Sequence, residues 1–209
     1  MPEELRTAYH RQLDEIDEQL ARMIVLVEES VGGAEAAFLG LEDAAADRVE
    51  ANGEAIEQGH RAVESLVLTQ FVRQAPVAGE LRFLVAAVRL VPEVELTAAL
   101  AANVANLGRT HLASELPPRV RGLVGELFQQ CSAMWRRAND AYAERDTVAA
   151  VAVSALRRDD LSDTLRDELA SAGLRPTVLM DMALVTRFLD RIGDHAIDVG
   201  RWIESFSAV

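Results

Sequence analysis

The chain has little of what a sheet or a covalently stapled fold requires. Aromatic residues make up 5% of its 209 positions, and strand signals are nearly absent. Cys131 is the only cysteine. No intrachain disulfide can form, a reducing compartment is suitable, and zinc is disfavoured without cysteine or clustered histidine. Positive charge is also scarce: 21 Lys and Arg stand against 34 Asp and Glu, a formal net charge of −13. Nucleic acid and anionic membrane both need a basic footprint, so cations or basic protein surfaces are the better-matched partners. No uninterrupted apolar run approaches the ~20 residues of a membrane span. The opening Met1-Pro2-Glu3-Glu4 lacks the basic-then-apolar plan of a signal peptide. A cytoplasmic protein is expected. No Gly-rich phosphate loop, nucleophile elbow or catalytic triad is visible, so a non-enzymatic role is expected.

What the chain does have is helix. Ala, Leu, Glu and Arg dominate, the residues that lose least freedom on becoming helical. Apolar residues recur at helical spacing, as in Leu13, Ile16, Leu20, Met23, Ile24 and Val27. Breaks and caps predict six helices. The first runs from about Pro2 to Leu39, with Gly32-Gly33 as a weak point; the second is capped by Asp43 and reaches about Arg73. Pro76 opens the third, ending near Gly108, and Pro117-Pro118 precedes a fourth ending near Glu144. Asp146-Thr147 caps a fifth that stops at Gly173, and Pro176 opens the sixth, to about Phe206. Pro92 falls inside the third, where a bend or an end is expected.

Three helices, a Pro-Pro junction and three more predict an all-α fold of two tandem three-helix bundles. Their expected bounds are 1–114 and 115–209. Laying Glu95 on Asp190 aligns Leu84 with Leu179, Val94 with Leu189 and Ala99 with Asp194, a degenerate repeat of roughly 100 residues.

The densest chemistry is in the last helix. Asp190, Asp194 and Asp198 recur every four residues. That spacing turns each about 40° from the last and raises it roughly 6 Å, so the carboxylates form one slanted rib. Like charges so placed repel by a few tenths of a kcal/mol per pair unless a cation, an arginine or water neutralises them. Asp159 and Asp163, with Asp160 beside them, form a second rib on the fifth helix. A helical hairpin that sets the ribs level would offer oxygen ligands to Mg²⁺, Ca²⁺, Mn²⁺ or iron. The plainer alternative is a solvated acidic face, Asp190 bordering the apolar stripe and Asp198 nearly opposite it. In the first half Glu57 and Glu95 occupy corresponding regions, but Ala99 stands where a second carboxylate would be. His60 follows Glu57 by three, a single Glu-x-x-His where di-iron bundles use two. His195 reads as a surface histidine, Arg191 as a partner for Asp194 or for neighbours on the Glu204 side, and Trp135 and Trp202 as exposed or half-buried anchors. Arg136-Arg137 and Arg157-Arg158 read as solvated charge.

Leu189-Asp190-Arg191-Ile192-Gly193-Asp194-His195-Ala196 resembles the signature of the PhoU family, regulators of bacterial phosphate uptake. Gln74-Ala75-Pro76-Val77-Ala78-Gly79-Glu80-Leu81-Arg82 resembles a second signature of that family, and Leu5 to Asp14 is similar to the opening of its actinobacterial members. The resemblance implies two three-helix bundles and a cytoplasmic adaptor, expected as a homodimer. Its expected partners are the nucleotide-binding subunit of a high-affinity phosphate ABC transporter and a sensor histidine kinase, so that association with membrane complexes is peripheral. Such an adaptor represses the phosphate-starvation response when phosphate is plentiful. The resemblance also implies a divalent or iron-type metal on Asp159, Asp163, Asp190 and Asp194, with Asp198 as a further ligand. In the first half the motif reads Glu95-Leu96-Thr97-Ala98-Ala99, without its arginine, glycine and second acid. The competing expectations are a metal-binding or metal-dependent protein, and an accessory to a different phosphate transporter.

Overall fold

A computed structural model describes residues 2–73, 78–156 and 160–207; Gln74 to Val77 of the second signature and Arg157, Arg158 and Asp159 lie outside these. The described residues form helices α1 (Pro2–Phe38), α2 (Ala45–Arg73), α3 (Ala78–Gly108), α4 (Pro118–Ala143), α5 (Thr147–Ser154), α6 (Leu161–Ser171) and α7 (Pro176–Ser207). A 3-10 turn, Leu112–Glu115, precedes α4. No strand occurs among the described residues.

The helix ends follow local chemistry. The Asp146 carboxylate accepts from the amides of Val148 and Ala149 at 2.8 and 3.0 Å, capping α5. Gly173, at φ 64°, takes the left-handed turn that closes α6. Asp43 lies in the turn before α2, which begins at Ala45. Helix α1 runs unbroken through Gly32-Gly33. A Cβ on Gly33 would stand 2.7 Å from Val49 Cγ2, so that glycine admits α2 rather than weakening α1. Helix α3 continues through Pro92 and does not end there.

The expected fifth helix is two. Helix α5 buries Ala150 and Val153 against α4 and α7, whereas α6 buries Ser162, Leu165 and Leu169. Twelve residues separate Val153 from Leu165, about a third of a turn out of phase, so one straight helix cannot press both inward.

Helices α1, α2 and α3 pack on one another, and in the second half α4 and α7 pack together and each receives α5 and α6. The halves meet where α3 lies against α7 and α1 against α4, and one continuous core runs through both. Phe38 and Phe128 meet across this seam as a tilted pair with ring centroids 5.9 Å apart. The Tyr142 hydroxyl donates to Asp17 at 2.7 Å, and burial beside that carboxylate pushes the phenol's pKa up.

The Glu95–Asp190 alignment is reproduced in burial. Ala87, Leu90, Val91, Val94, Thr97, Ala98, Ala101, Val104, Ala105 and Gly108 are all buried, and so are the residues 95 positions later on α7. The repeated halves therefore share one inward register.

Candidate functional site

The rib on α7 places its three carboxylates in three surroundings. Asp190 is 4% exposed. The Ser162 hydroxyl donates to its Oδ1 at 2.5 Å, and Arg166 Nη2 donates to Oδ2 at 2.8 Å. Arg166 also bonds the exposed Asp163, so one guanidinium joins α6 to two of the expected ligands. Asp194 is half-buried. Asp198 accepts from Arg201 Nη1 at 2.5 Å. Asp159 lies outside the described residues. In the first half, Glu57 pairs with Arg61 at 3.4 Å, and Glu95 Oε2 stands 2.6 Å from His60 Nδ1.

Among the described residues, no group of three or more His, Cys, Asp or Glu is arranged to hold a metal ion. Both oxygens of Asp190 accept hydrogen bonds, and an arginine neutralises Asp163, Asp190 and Asp198. Serine and arginine partners, rather than one another, thus meet Asp163, Asp190 and Asp198 among the described residues.

The hairpin of α6 and α7 does set Ser162 and Asp190 side by side, and the arrangement ties a short helix to a long one. An ionised carboxylate removed from water is costly unless hydrogen-bonded and paired. Here the hydroxyl and the guanidinium meet that cost, and the half-exposed Arg166 keeps part of its hydration. Sequence pattern marked Asp190 as bordering the apolar stripe, but not Ser162 and Arg166, because their role depends on how α6 is rotated against α7.

His195 is not a surface group: it is 2% exposed, in the seam between α3 and α7. The Thr97 hydroxyl donates to the Glu93 carbonyl at 2.7 Å, and its oxygen lies 2.9 Å from His195 Nδ1. Having spent its proton, the hydroxyl accepts from His195, which places the imidazole proton on Nδ1. His195 Nε2 then accepts from Arg191 Nη2 at 3.2 Å. Burial and the Arg191 charge lower the His195 pKa, opposed by Asp198 and Asp194. Glu93, 3.8 Å from His195 Nε2, has its pKa raised by burial and by Asp198, while Arg191 opposes the rise. Ile192, His195, Ala196 and Val199 form an inward i, i+3, i+4, i+7 set, a spacing compatible with this burial though not decisive for it.

Trp135 is likewise wholly buried rather than an exposed anchor. Its indole donates to the Ile192 carbonyl at 3.0 Å, and one turn away Cys131 Sγ donates to the Leu189 carbonyl at 3.3 Å. Trp202 is half-buried, with the Arg89 guanidinium 4.9 Å from its ring centroid. Arg136 is exposed and pairs with Glu28, as solvated charge should.

The seam is therefore a closed polar lock, and Asp190 beside it ties α6 to α7. No helix of the described residues is long and apolar enough to cross a membrane.

A family model described as the PhoU domain matches residues 20–107 and 124–203. Over 210 residues the chain is 31% identical to the phosphate-specific transport system accessory protein PhoU homolog 2 of Mycobacterium tuberculosis, covering 94% of this chain and 95% of the relative. It is 32% identical to PhoU homolog 1 of Mycobacterium leprae over 206 residues, 94% of this chain and 91% of the other. Among solved structures, PhoU from Pseudomonas aeruginosa superposes with a TM-score of 0.82 at 24% identity, covering 93% of this chain and 96% of that one. The phosphate transport system regulatory protein PhoU from Streptococcus pneumoniae gives 0.78 at 15% identity, covering 93% and 94%.

Proposed function

The chain belongs to the PhoU family, and from that membership we propose that it regulates phosphate uptake as a non-enzymatic adaptor. It works in the cytoplasm, against the nucleotide-binding subunit of a phosphate ABC transporter and against a sensor histidine kinase. When phosphate is plentiful it favours the kinase state that represses the starvation response. The observation that carries the reading is the likeness to named phosphate-transport accessory proteins along 94% of the chain, both halves included.

The physical logic is differential docking. An adaptor transmits a signal only if it binds the two conformations of a partner with different free energies. A rigid helical body with a shared core suits that task, because a shift at one face is passed on rather than absorbed.

Deleting the gene tests the role. Phosphate-starvation genes are expected to be expressed in phosphate-rich medium, and full repression without the gene would reject it. A pull-down of the intact protein at high and low phosphate tests the partners. Recovery of a transporter that does not use ATP, in place of the ABC system, would reassign the protein to that transporter.

A further inference from the structure

Helix α3 is apolar on two sides, and only one of them is packed. The inward side forms the core. The outward side carries Leu81, Val85, Val88, Pro92 and Leu96, spaced four, three, four and four. Leu81, Val85, Val88 and Leu96 are 41%, 40%, 48% and 51% exposed. Contiguous apolar stripes of this kind on a soluble surface mark binding faces, whereas scattered exposed residues do not.

The stripe does not stand alone. The contact between His60 and Glu95 fixes the antiparallel register of α2 on α3. Continued along the pair, that register brings the exposed Leu68 and Phe71 of α2 about level with Val88 and Val85. Midway along, a cleft of about 190 Å³ opens between the helices, lined by His60, Val63, Glu64, Val88, Val91 and Pro92. Pro92 has no N–H to give to the Val88 carbonyl, so an acceptor lies at the wall of that cleft without its helical donor.

On the α2 side of the cleft, acidic groups outnumber basic ones. Glu57, Glu64 and Glu95 border this end of the stripe together with Arg61 and His60, whereas the exposed Arg82 and Arg89 stand on its opposite flank. The second half does not repeat the feature: its equivalent positions are Pro176, Met180, Ala183, Arg187 and Arg191.

We propose that the α2–α3 face receives one amphipathic helix of a partner protein, its apolar stripe seated on Leu81 to Leu96 and its flanks basic where they meet Glu57, Glu64 and Glu95. The partner's central apolar side chain fills the cleft. A lysine or arginine beside it donates to the Val88 carbonyl and neutralises the rim. This is recognition of a helix in a groove, with anchors at i, i+3 or i+4 and i+7. A second copy of this chain is the poorer occupant, since it brings the same carboxylates and its own net charge of −13.

The inference rests on the docking role proposed above but not on which partner docks. The test uses the intact chain and a fluorescein-labelled model peptide of about five helical turns. The peptide carries leucines at alternating three- and four-residue spacing and lysine flanks; its twin carries glutamate flanks. Fluorescence anisotropy is expected to show binding of the lysine peptide and none of the glutamate twin. Val88→Glu is expected to weaken binding at least about tenfold, and Leu96→Glu to do so independently. Met180→Glu, on the corresponding face of the second half, is expected to leave binding unchanged.

A merely electrostatic association would strengthen in Val88→Glu, because the substitution adds an acid. Unchanged or tighter binding in that variant would overturn the proposal. So would self-association of the wild-type chain in sedimentation that disappears in Val88→Glu, which would assign the face to a second copy. Both positions are exposed, and an unaltered melting curve verifies the fold. If the gene deletion leaves repression intact while the peptide result holds, the phosphate role falls and the docking face stands; the converse outcome removes only the face.

Discussion

Helices α3 and α7 are two uses of one pattern. Their buried positions coincide for ten pairs, from Ala87 with Met182 to Gly108 with Ile203. Their other positions diverge. Where α7 buries Asp190 under α6, α3 leaves Glu95 half-exposed against His60. Where α7 turns His195 into the seam, α3 has Leu100. Where α3 shows Pro92 and Leu96 to solvent, α7 shows Arg187 and Arg191. A duplicated fold conserves the face its core needs, and the rest is free to become a fastener in one half and a docking surface in the other.

The sharpest break of this symmetry is at its last pair. A Cβ on Gly108 would stand 2.5 Å from the Ala37 carbonyl oxygen, so α1 crosses α3 where only glycine fits. Gly108→Ile, which copies Ile203, is expected to cost about 4 kcal/mol or more, enough to prevent folding of a marginal domain. Ile203→Ala in the second half leaves a cavity instead and is expected to cost about 3 kcal/mol by denaturant melts. Equal costs for the two would show that the halves pack alike at this level.

Asp190→Ala is expected to cost about 2 kcal/mol, because it strips the Ser162 hydroxyl and Arg166 of a buried acceptor. Glu95→Ala, its counterpart, is expected to cost less than about 1 kcal/mol, since its pair is partly exposed. Limited proteolysis should find α6 cut sooner in the first variant only; indifference of α6 to Asp190 would remove its role as a fastener.

Pro92→Ala restores an amide donor for the Val88 carbonyl and is expected to raise stability by about 1 kcal/mol, with a rise of a few degrees in Tm. The smallest effect is expected from Val88→Glu, within about 0.5 kcal/mol of wild type, as suits an exposed side chain. A large loss there would mean that the stripe belongs to the core.

Much of this was legible in the chain. Pro118 and Pro176 start helices, Asp146 caps one and Gly173 closes one. The Glu95–Asp190 register proved to be the register of burial. The misjudged residues were those whose surroundings come from another helix. His195 and Trp135 lie on sequence stripes that admit either a buried or an edge position, and their neighbours α3 and α7 decided it. The division of the fifth helix is not written locally, because each piece is a good helix and their different packing faces separate them.

Helix identity, helix ends and the duplicated inward register are written locally, since capping, proline geometry and a 3.6-residue period act within a few residues of one another. Whether an aspartate on such a helix meets water, a cation or an arginine is not a local property. It depends on which helix lies opposite and how far that helix is rotated, which the packing of side chains in the assembled core sets for α6 on α7.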